Sequence, residues 1–176
     1  MRFAYADPPY LGCAAKFYGD ATYDDPEAHR RLIVRLCDEF PDGWALSCAS
    51  PNLRVLLPMC PEDARVGAWV KPFHVFKRGV RPAYAWEPVI FRGGRNKNHP
   101  PPPKGGMATT PKDFVSANIT LKRGLAGAKP DAFCRWLFDI LGMQPDDEFV
   151  DLFLGSGAVT RAHEAWREQL TLGGAA

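Results

Sequence analysis

Long apolar runs are absent from this 176-residue sequence. A transmembrane helix needs about 20 consecutive apolar residues, so a membrane span is excluded, and no secretory signal opens the chain. Metal-binding residue types are sparse, with five cysteines and four histidines. No two cysteines have Cys-x-x-Cys spacing, so neither a disulfide framework nor a zinc site is predicted. We therefore expect a cytoplasmic protein that binds neither a metal nor a membrane.

Two common glycine-rich nucleotide motifs are also missing. No Gly-Lys-Ser/Thr follows Gly155-Ser156-Gly157, which excludes a P-loop. A dinucleotide fingerprint would need a third glycine where Thr160 stands, and an acid about 20 residues further on, beyond the last residue given. The Gly-x-Gly pair of this segment is therefore neither a P-loop nor a dinucleotide fingerprint, and alone it identifies no ligand.

The charge of the chain is unevenly distributed, although its net value is only +2. Residues 65–123 hold 12 Lys/Arg and two acids, whereas the remainder holds 10 Lys/Arg and 18 acids. This asymmetry indicates a basic face for a polyanion, with a solvated basic loop as the alternative. Residues 92–118 predict an irregular basic loop inside a single domain that spans residues 1–176. The candidate nucleic-acid-binding residues are Lys16, Arg92, Arg95, Lys97 and Lys104.

The tetrapeptide Asp7-Pro8-Pro9-Tyr10 follows a short apolar run that is typical of a strand, Phe3 to Ala6. Proline has no amide donor, so the Pro8 carbonyl can face a ligand without a competing N–H from Pro9. Two acceptors, the Asp7 carboxylate and this carbonyl, together with the Tyr10 ring suit a planar ligand that carries an exocyclic amine. Adenine and cytosine are candidates, and a proline-rich turn capped by Asp7 is the structural alternative.

A second motif lies near the other end of the chain. Residues 149–157 read Phe-Val-Asp-Leu-Phe-Leu-Gly-Ser-Gly, and apolar residues then recur at helical spacing through Trp166. Strand, glycine turn and helix form a unit in which a ligand approaches backbone amides at the start of the helix. Asp7 and Asp151 each follow or end a predicted strand, so the two motifs are expected to face one cleft.

The rest of the sequence predicts helices that alternate with strands. We expect helices over 26–40, 50–57 and 131–141, strands over 44–48, 65–70 and 83–91, and a loop over 11–23. Alternation of this kind predicts an α/β fold, with a mostly parallel sheet and helices on both of its faces.

Together the two motifs resemble those of the amino-methyltransferases that use S-adenosylmethionine to methylate an exocyclic nitrogen of a nucleic-acid base. Asp7 to Tyr10 matches their catalytic motif, and Asp151 to Gly157 matches their Asp-x-Phe-x-Gly-x-Gly cofactor motif. The order, catalytic motif first, resembles the circularly permuted beta class. Lys129-Pro130 ahead of the helix over 131–141, and the strand-like Glu87 to Phe91, match further elements of that class.

The resemblance implies a three-layer Rossmann-like methyltransferase fold, S-adenosylmethionine as cofactor, and methylation of adenine N6 in double-stranded DNA with the target base flipped out. Asp7, Pro8, Pro9 and Tyr10 would be catalytic. Asp151 would hold the methionine amine of the cofactor, and Phe17 and Tyr18 would cover the flipped base, with ordinary loop packing as the alternative. The other expected cofactor-binding residues are Phe153, Gly155, Ser156, Gly157 and Lys129; plain core packing for Phe153 and helix capping for Lys129 are the alternatives.

The chain departs from this family in two respects. In this family an acid after the cofactor helix normally holds the cofactor ribose, and no acid follows Glu168 here. The alternatives are an open pocket, another acid in this role, or a pocket completed by a second copy in a homodimer. The basic loop is also too short for a target-recognition domain. Cytosine N4 or RNA methylation, methylation of a protein or small-molecule amine, and a catalytically silent nucleic-acid-binding module are the alternative functions.

Overall fold

A computed structural model describes residues 1–73, 78–95, 110–119 and 128–173. The strands and α-helices in chain order are β1 (Arg2–Ala6), α1 (Ala14–Tyr18), α2 (Pro26–Glu39), β2 (Gly43–Ser47), α3 (Leu53–Leu56), β3 (Arg65–Val70), β4 (Trp86–Gly93), β5 (Phe114–Ser116), α4 (Asp131–Ile140), β6 (Glu148–Asp151) and α5 (Ala158–Gly173). Short 3-10 turns cover Thr22–Asp24, Ser50–Asn52 and Leu57–Met59.

Within the described ranges, the strands form one six-stranded sheet in the order β5-β3-β4-β2-β1-β6. β1 is parallel to both of its neighbours, β2 and β6, whereas β4 is antiparallel to β2 and to β3. Because β5 is parallel to β3, five of the six strands run in one direction and only β4 is reversed. The predicted fold class, a mostly parallel α/β sheet, is confirmed.

Helices cover both faces of the sheet, and β1 shows why. Successive side chains of a strand point to opposite faces. Phe3 and Tyr5 accordingly pack in one core with residues of α4 and α5, such as Phe133 and Trp166. Ala4 and Ala6 belong to the other core, which contains three leucine or isoleucine residues of α2 (Leu32, Ile33 and Leu36) and Leu56 of α3. β1, which lies between β2 and β6, is therefore buried on both faces from Phe3 to Ala6, as is typical of an apolar run in a parallel sheet.

The two long predicted helices that flank these cores form as expected. α2 begins where Asp25 accepts a hydrogen bond from the Glu27 amide at 3.0 Å, with Pro26 at its first position. α4 buries Phe133, Cys134, Trp136, Leu137 and Phe138. Gly142 follows it with a φ of 61°, a left-handed conformation that favours glycine and ends the helix.

Two segments differ from the expectations. Residues 11–23 include α1 rather than only a loop, because the Asp24 carboxylate accepts bonds from the amides of Ala14 and Ala15 at 2.8 and 2.9 Å. β5 forms inside the expected loop over 92–118, of which residues 96–109 lie outside the described part of the chain. No helix in the described ranges combines the length and apolar character that a bilayer span requires.

Candidate active site

The two sequence motifs meet at one edge of the sheet. β1 and β6 are adjacent and parallel, Tyr5 pairs with Asp151, and the Leu152 amide donates to the Tyr5 carbonyl at 2.9 Å. Asp7 follows β1 by one residue and therefore lies at the same carboxyl edge as Asp151. The prediction that both ends of the chain contribute to one edge is confirmed.

Asp7 is bonded to a buried lysine. Lys129 Nζ lies 2.8 Å from Asp7 Oδ2; the lysine side chain is 5% exposed and the aspartate side chain 24%. Burial raises the pKa of the Asp7 carboxyl, and the Lys129 ammonium only partly opposes this effect. Burial alone would lower the pKa of Lys129, but the Asp7 and Glu87 carboxylates raise it well above its usual value. The site thus holds an ionised lysine beside a partly exposed carboxylate.

Glu87 of β4 joins this pair, and sequence reasoning did not assign it to the site. Its Oε1 lies 3.0 Å from Lys129 Nζ and its Oε2 lies 2.7 Å from Lys71 Nζ. Burial raises the pKa of Glu87, but the ammonium groups of Lys129 and Lys71 outweigh it and lower the pKa to about 2. The Glu-Pro strand pattern offered a signal for Glu87; nothing local marks Lys71.

The Tyr10 hydroxyl contacts both carboxylates. It lies 2.5 Å from Glu87 Oε1 and 3.2 Å from Asp7 Oδ1. A hydroxyl carries one proton, so the shorter contact to Glu87 receives the stronger bond and Asp7 Oδ1 the weaker one. Tyr10 is therefore anchored by its hydroxyl as well as offering a ring.

The cofactor motif shows a similar local organisation around Asp151. Its Oδ2 accepts a bond from the Thr160 hydroxyl at 3.1 Å, and its Oδ1 accepts one from the Phe153 amide at 3.3 Å. Burial raises the pKa of Asp151. Thr160 occupies the position where a dinucleotide fingerprint would have glycine, so its role as a partner of the acid was missed.

The glycine turn needs its glycines. Gly155 and Gly157 have φ angles of 45° and 68°, a region that residues with a Cβ seldom adopt. A Cβ at position 157 would also lie 2.8 Å from Arg161, whose guanidinium donates to the Ser156 carbonyl at 2.9 Å. The positive φ angles are therefore the stronger reason for glycine in the turn between β6 and α5.

Apolar side chains around this edge differ in their packing. Phe153 contacts the Tyr23 ring edge-on at 5.3 Å between centroids, so part of its role is core packing. Phe17 and Tyr18 of α1 are 65% and 68% exposed, and the ordinary loop packing considered for them is not observed. Leu154 in the glycine turn is exposed as well.

Comparisons with known proteins give matches among solved structures. No protein-family model matches the sequence, and a search of curated proteins finds no match. A crystal structure of the M1.HpyAVI–SAM complex has a TM-score of 0.57 and 19% identity, covering 94% of this chain and 78% of that one. A second crystal structure, of M1.HpyAVI, has a TM-score of 0.55 and 18% sequence identity. The match covers 95% of this chain and 77% of that one. This chain has the fold of M1.HpyAVI.

Two of the basic candidates, Arg92 and Arg95, lie away from Asp7 because β4 is reversed. The last residue of β4, Gly93, pairs with Gly43 at the start of β2, so Arg92 and Arg95 lie at the edge of the sheet opposite Asp7. Arg92 donates to Asp63 at 2.7 Å, and Arg95 donates to both oxygens of the buried Asp147 at 2.6 Å.

The other basic candidates have different surroundings. Lys16 is exposed on α1, with Nζ 5.4 Å from the centre of the Phe17 ring, whereas Lys97 and Lys104 lie outside the described residues. Across the described ranges of this M1.HpyAVI-like fold, no group of three or more His, Cys, Asp or Glu could hold a metal ion.

Proposed function

We propose that this protein transfers a methyl group from S-adenosylmethionine to the N6 amine of adenine in double-stranded DNA. The observation that carries the proposal is the juxtaposition of the Asp7 to Tyr10 tetrapeptide with the Asp151 to Gly157 turn at the ends of adjacent parallel strands. The fold shared with M1.HpyAVI, which has been crystallised with SAM, supports the choice of cofactor.

The residues of the glycine turn fit this cofactor chemically. Asp151 uses one lone pair on each oxygen for Thr160 and the Phe153 amide, and a carboxylate has further acceptor capacity for an ammonium group. The left-handed glycines let a ligand approach the backbone closely. Asp151 would bind the methionine amine, and the backbone of Gly155, Ser156 and Gly157 would contact the rest of the molecule.

S-adenosylmethionine, when bound, supplies an electrophilic methyl group on a sulfonium. Asp7 and the Pro8 carbonyl would accept the two hydrogens of the adenine amine, which favours a pyramidal nitrogen whose lone pair is free for the methyl. Asp7 has the capacity for this, since its Oδ1 receives only the weaker contact of Tyr10. The raised pKa of Asp7 also suits it to take the proton that the amine loses on methylation.

The Tyr10 ring would stack on the flipped base. Flipping costs a few kcal/mol, and stacking on an aromatic ring returns about 1–3 kcal/mol per base. The hydrogen bond from the Tyr10 hydroxyl to Glu87 and its longer contact with Asp7 restrict the ring, so little of this gain is lost in ordering it. The exposed rings of Phe17 and Tyr18 would give further stacking surface near the same edge.

The proposal is tested by incubation with labelled S-adenosylmethionine and unmethylated DNA, RNA or protein, followed by digestion and mass spectrometry. Label in N6-methyladenine of DNA supports it. Label in N4-methylcytosine, in RNA or in protein would show that the methyl acceptor is that molecule and not adenine in DNA. Retention of DNA without any transfer would indicate a catalytically silent binding module.

Two variants serve as controls for this assay. Asp7→Ala should abolish transfer and keep S-adenosylmethionine binding. Asp131→Ala removes an exposed carboxylate that pairs with Arg135, and it should leave transfer unchanged.

A further inference from the structure

Four charged side chains from four parts of the chain form one cluster that includes Asp7 of the candidate active site. Lys71 follows β3, Glu87 belongs to β4, Lys129 precedes α4 and Asp7 follows β1. The nitrogen–oxygen distance is 2.7 Å between Lys71 and Glu87, 3.0 Å between Glu87 and Lys129, and 2.8 Å between Lys129 and Asp7. Two ammonium groups balance two carboxylates, so the formal charge of the cluster is zero.

The polar contacts of Glu87 are with the two groups that contact Asp7. Its Oε1 forms an ion pair with Lys129, which donates to Asp7 Oδ2, and accepts a hydrogen bond from Tyr10, whose hydroxyl also contacts Asp7 Oδ1. Its Oε2 is fixed by Lys71. Glu87 thereby draws the hydroxyl proton away from Asp7 and leaves Oδ1 available for a further donor.

We propose that Glu87 and Lys71 are positioning residues for methyl transfer, which hold Lys129 on one oxygen of Asp7 and Tyr10 away from the other. The inference rests on the proposed function, in which Asp7 accepts hydrogens from the adenine amine. Neither Glu87 nor Lys71 contacts the reacting atoms in this account. Their contribution reaches the substrate through Lys129, Tyr10 and Asp7.

The charge balance gives the two residues opposite signatures. Removing the negative charge of Glu87 lowers the pKa of Asp7, because Glu87 acts to raise it. Removing the positive charge of Lys71 leaves the cluster with one excess negative charge, which raises the pKa of Asp7. Among the described residues, the other ionisable groups that interact with Asp7 are the buried Tyr5, bonded to Ser47, and Asp151. Both are the same in every variant.

The first measurement is kcat at saturating cofactor and DNA across pH for the wild type, Glu87→Gln and Lys71→Met. We expect kcat to fall about ten- to hundredfold in Glu87→Gln while the DNA dissociation constant changes less than about twofold. The acid limb of the profile should move to lower pH in Glu87→Gln and to higher pH in Lys71→Met. Unmoved limbs, or limbs that move in the same direction, would overturn the proposal.

Tyr10 provides a second readout through a double-mutant cycle. In Glu87→Gln the hydroxyl of Tyr10 turns to Asp7 Oδ1 and competes with the substrate. Adding Tyr10→Phe removes this competitor, so the double variant should recover part of the kcat that Glu87→Gln lost. Strictly additive losses would contradict the assigned role of Glu87. The conservative Glu87→Asp variant should keep the wild-type acid limb, since it preserves the charge.

Controls separate this inference from misfolding and from failure of the proposed function. Ile33→Val alters the remote core beneath α2 and should lower the melting temperature without moving the acid limb. Carboxyl NMR titration of Asp7 in the same variants needs no turnover, and opposite pKa shifts there support the inference. If the wild type transfers no methyl group to adenine, the proposed function is wrong. Independently of that result, equal pKa values of Asp7 in all variants would overturn the positioning role of Glu87 and Lys71.

Discussion

Replacement of Lys129 by methionine should destabilise the protein in a pH-dependent way. The lysine side chain is 5% exposed and balances two carboxylates. Methionine keeps much of its volume, but it removes the cation that pairs with Asp7, and the ion pair of Lys71 is with Glu87. Removing one partner of a buried ion pair costs about 3–5 kcal/mol. In a domain of this size, each kcal/mol of destabilisation lowers the melting temperature by about 2–4 °C, so we expect a loss of about 6–20 °C.

The sign of the pH dependence follows from Asp7. In Lys129→Met the pKa of Asp7 lies further above its unfolded value than in the wild type, since burial already raises it and the opposing ammonium is gone. The folded variant therefore binds a proton more readily than the unfolded chain, and protonation relieves the destabilisation as the pH falls. The deficit in melting temperature should be largest near neutral pH and shrink toward acidic pH.

Thermal unfolding followed by circular dichroism, from about pH 8 to pH 5, measures this deficit. Arg35→Met is the control, because it breaks an exposed ion pair with Glu39 on α2 and should leave the melting temperature nearly unchanged at every pH. A deficit in Lys129→Met that stays constant across this range, or one no larger than that of Arg35→Met, would refute the electrostatic account.

Three further substitutions test other parts of the structure. Tyr10→Ala should weaken DNA binding by about 1–3 kcal/mol through lost stacking, whereas Tyr10→Phe should bind DNA as the wild type does; equal losses in a binding titration would argue against stacking. Thr160→Val should weaken S-adenosylmethionine binding by about 0.5–1.5 kcal/mol in calorimetry, since the bond to Asp151 is lost, and unchanged affinity would separate Thr160 from the pocket. Asp147→Asn should lower the melting temperature near neutral pH. Burial raises the pKa of Asp147, but hydrogen bonds from Arg95 and other donors outweigh this and lower the pKa overall. The stabilisation by the Asp147 carboxylate is therefore present at neutral pH and is lost as the pH falls through the lowered pKa. A melting-temperature difference that persists in acid would contradict this.

Much of the fold was predictable because it depends on local patterns. The proline and capping aspartate that start α2, the apolar run of β1 and the glycine after α4 are each encoded within a few residues. The meeting of Asp7 and Asp151 was also predictable, since ligand-binding motifs in such sheets follow the carboxyl ends of parallel strands.

The direction of β4 was not predictable from its own residues. An antiparallel strand buried on both faces has the same apolar pattern as a parallel one, so nothing local showed that Arg92 and Arg95 would lie at the edge opposite Asp7. Their ion pairs with Asp63 and Asp147 join residues 29 and 52 positions apart, which no local pattern specifies.

The charge cluster escaped prediction for the same reason. Lys129 and Asp7 are 122 positions apart, and Tyr10 and Glu87 are 77 apart. Each of these residues alone is compatible with an exposed strand end or a helix cap. Only the sheet order, with β4 next to β2 and β2 next to β1, brings their side chains together.

We propose that Asp7 and its neighbours present acceptors to the exocyclic amine of adenine while the glycine turn binds the methyl donor. A decisive experiment compares methyl transfer to two duplexes that differ only in replacement of every adenine by purine, which lacks that amine. We expect N6-methyladenine in the first duplex and no transfer to the second. Equal transfer to both duplexes would contradict it.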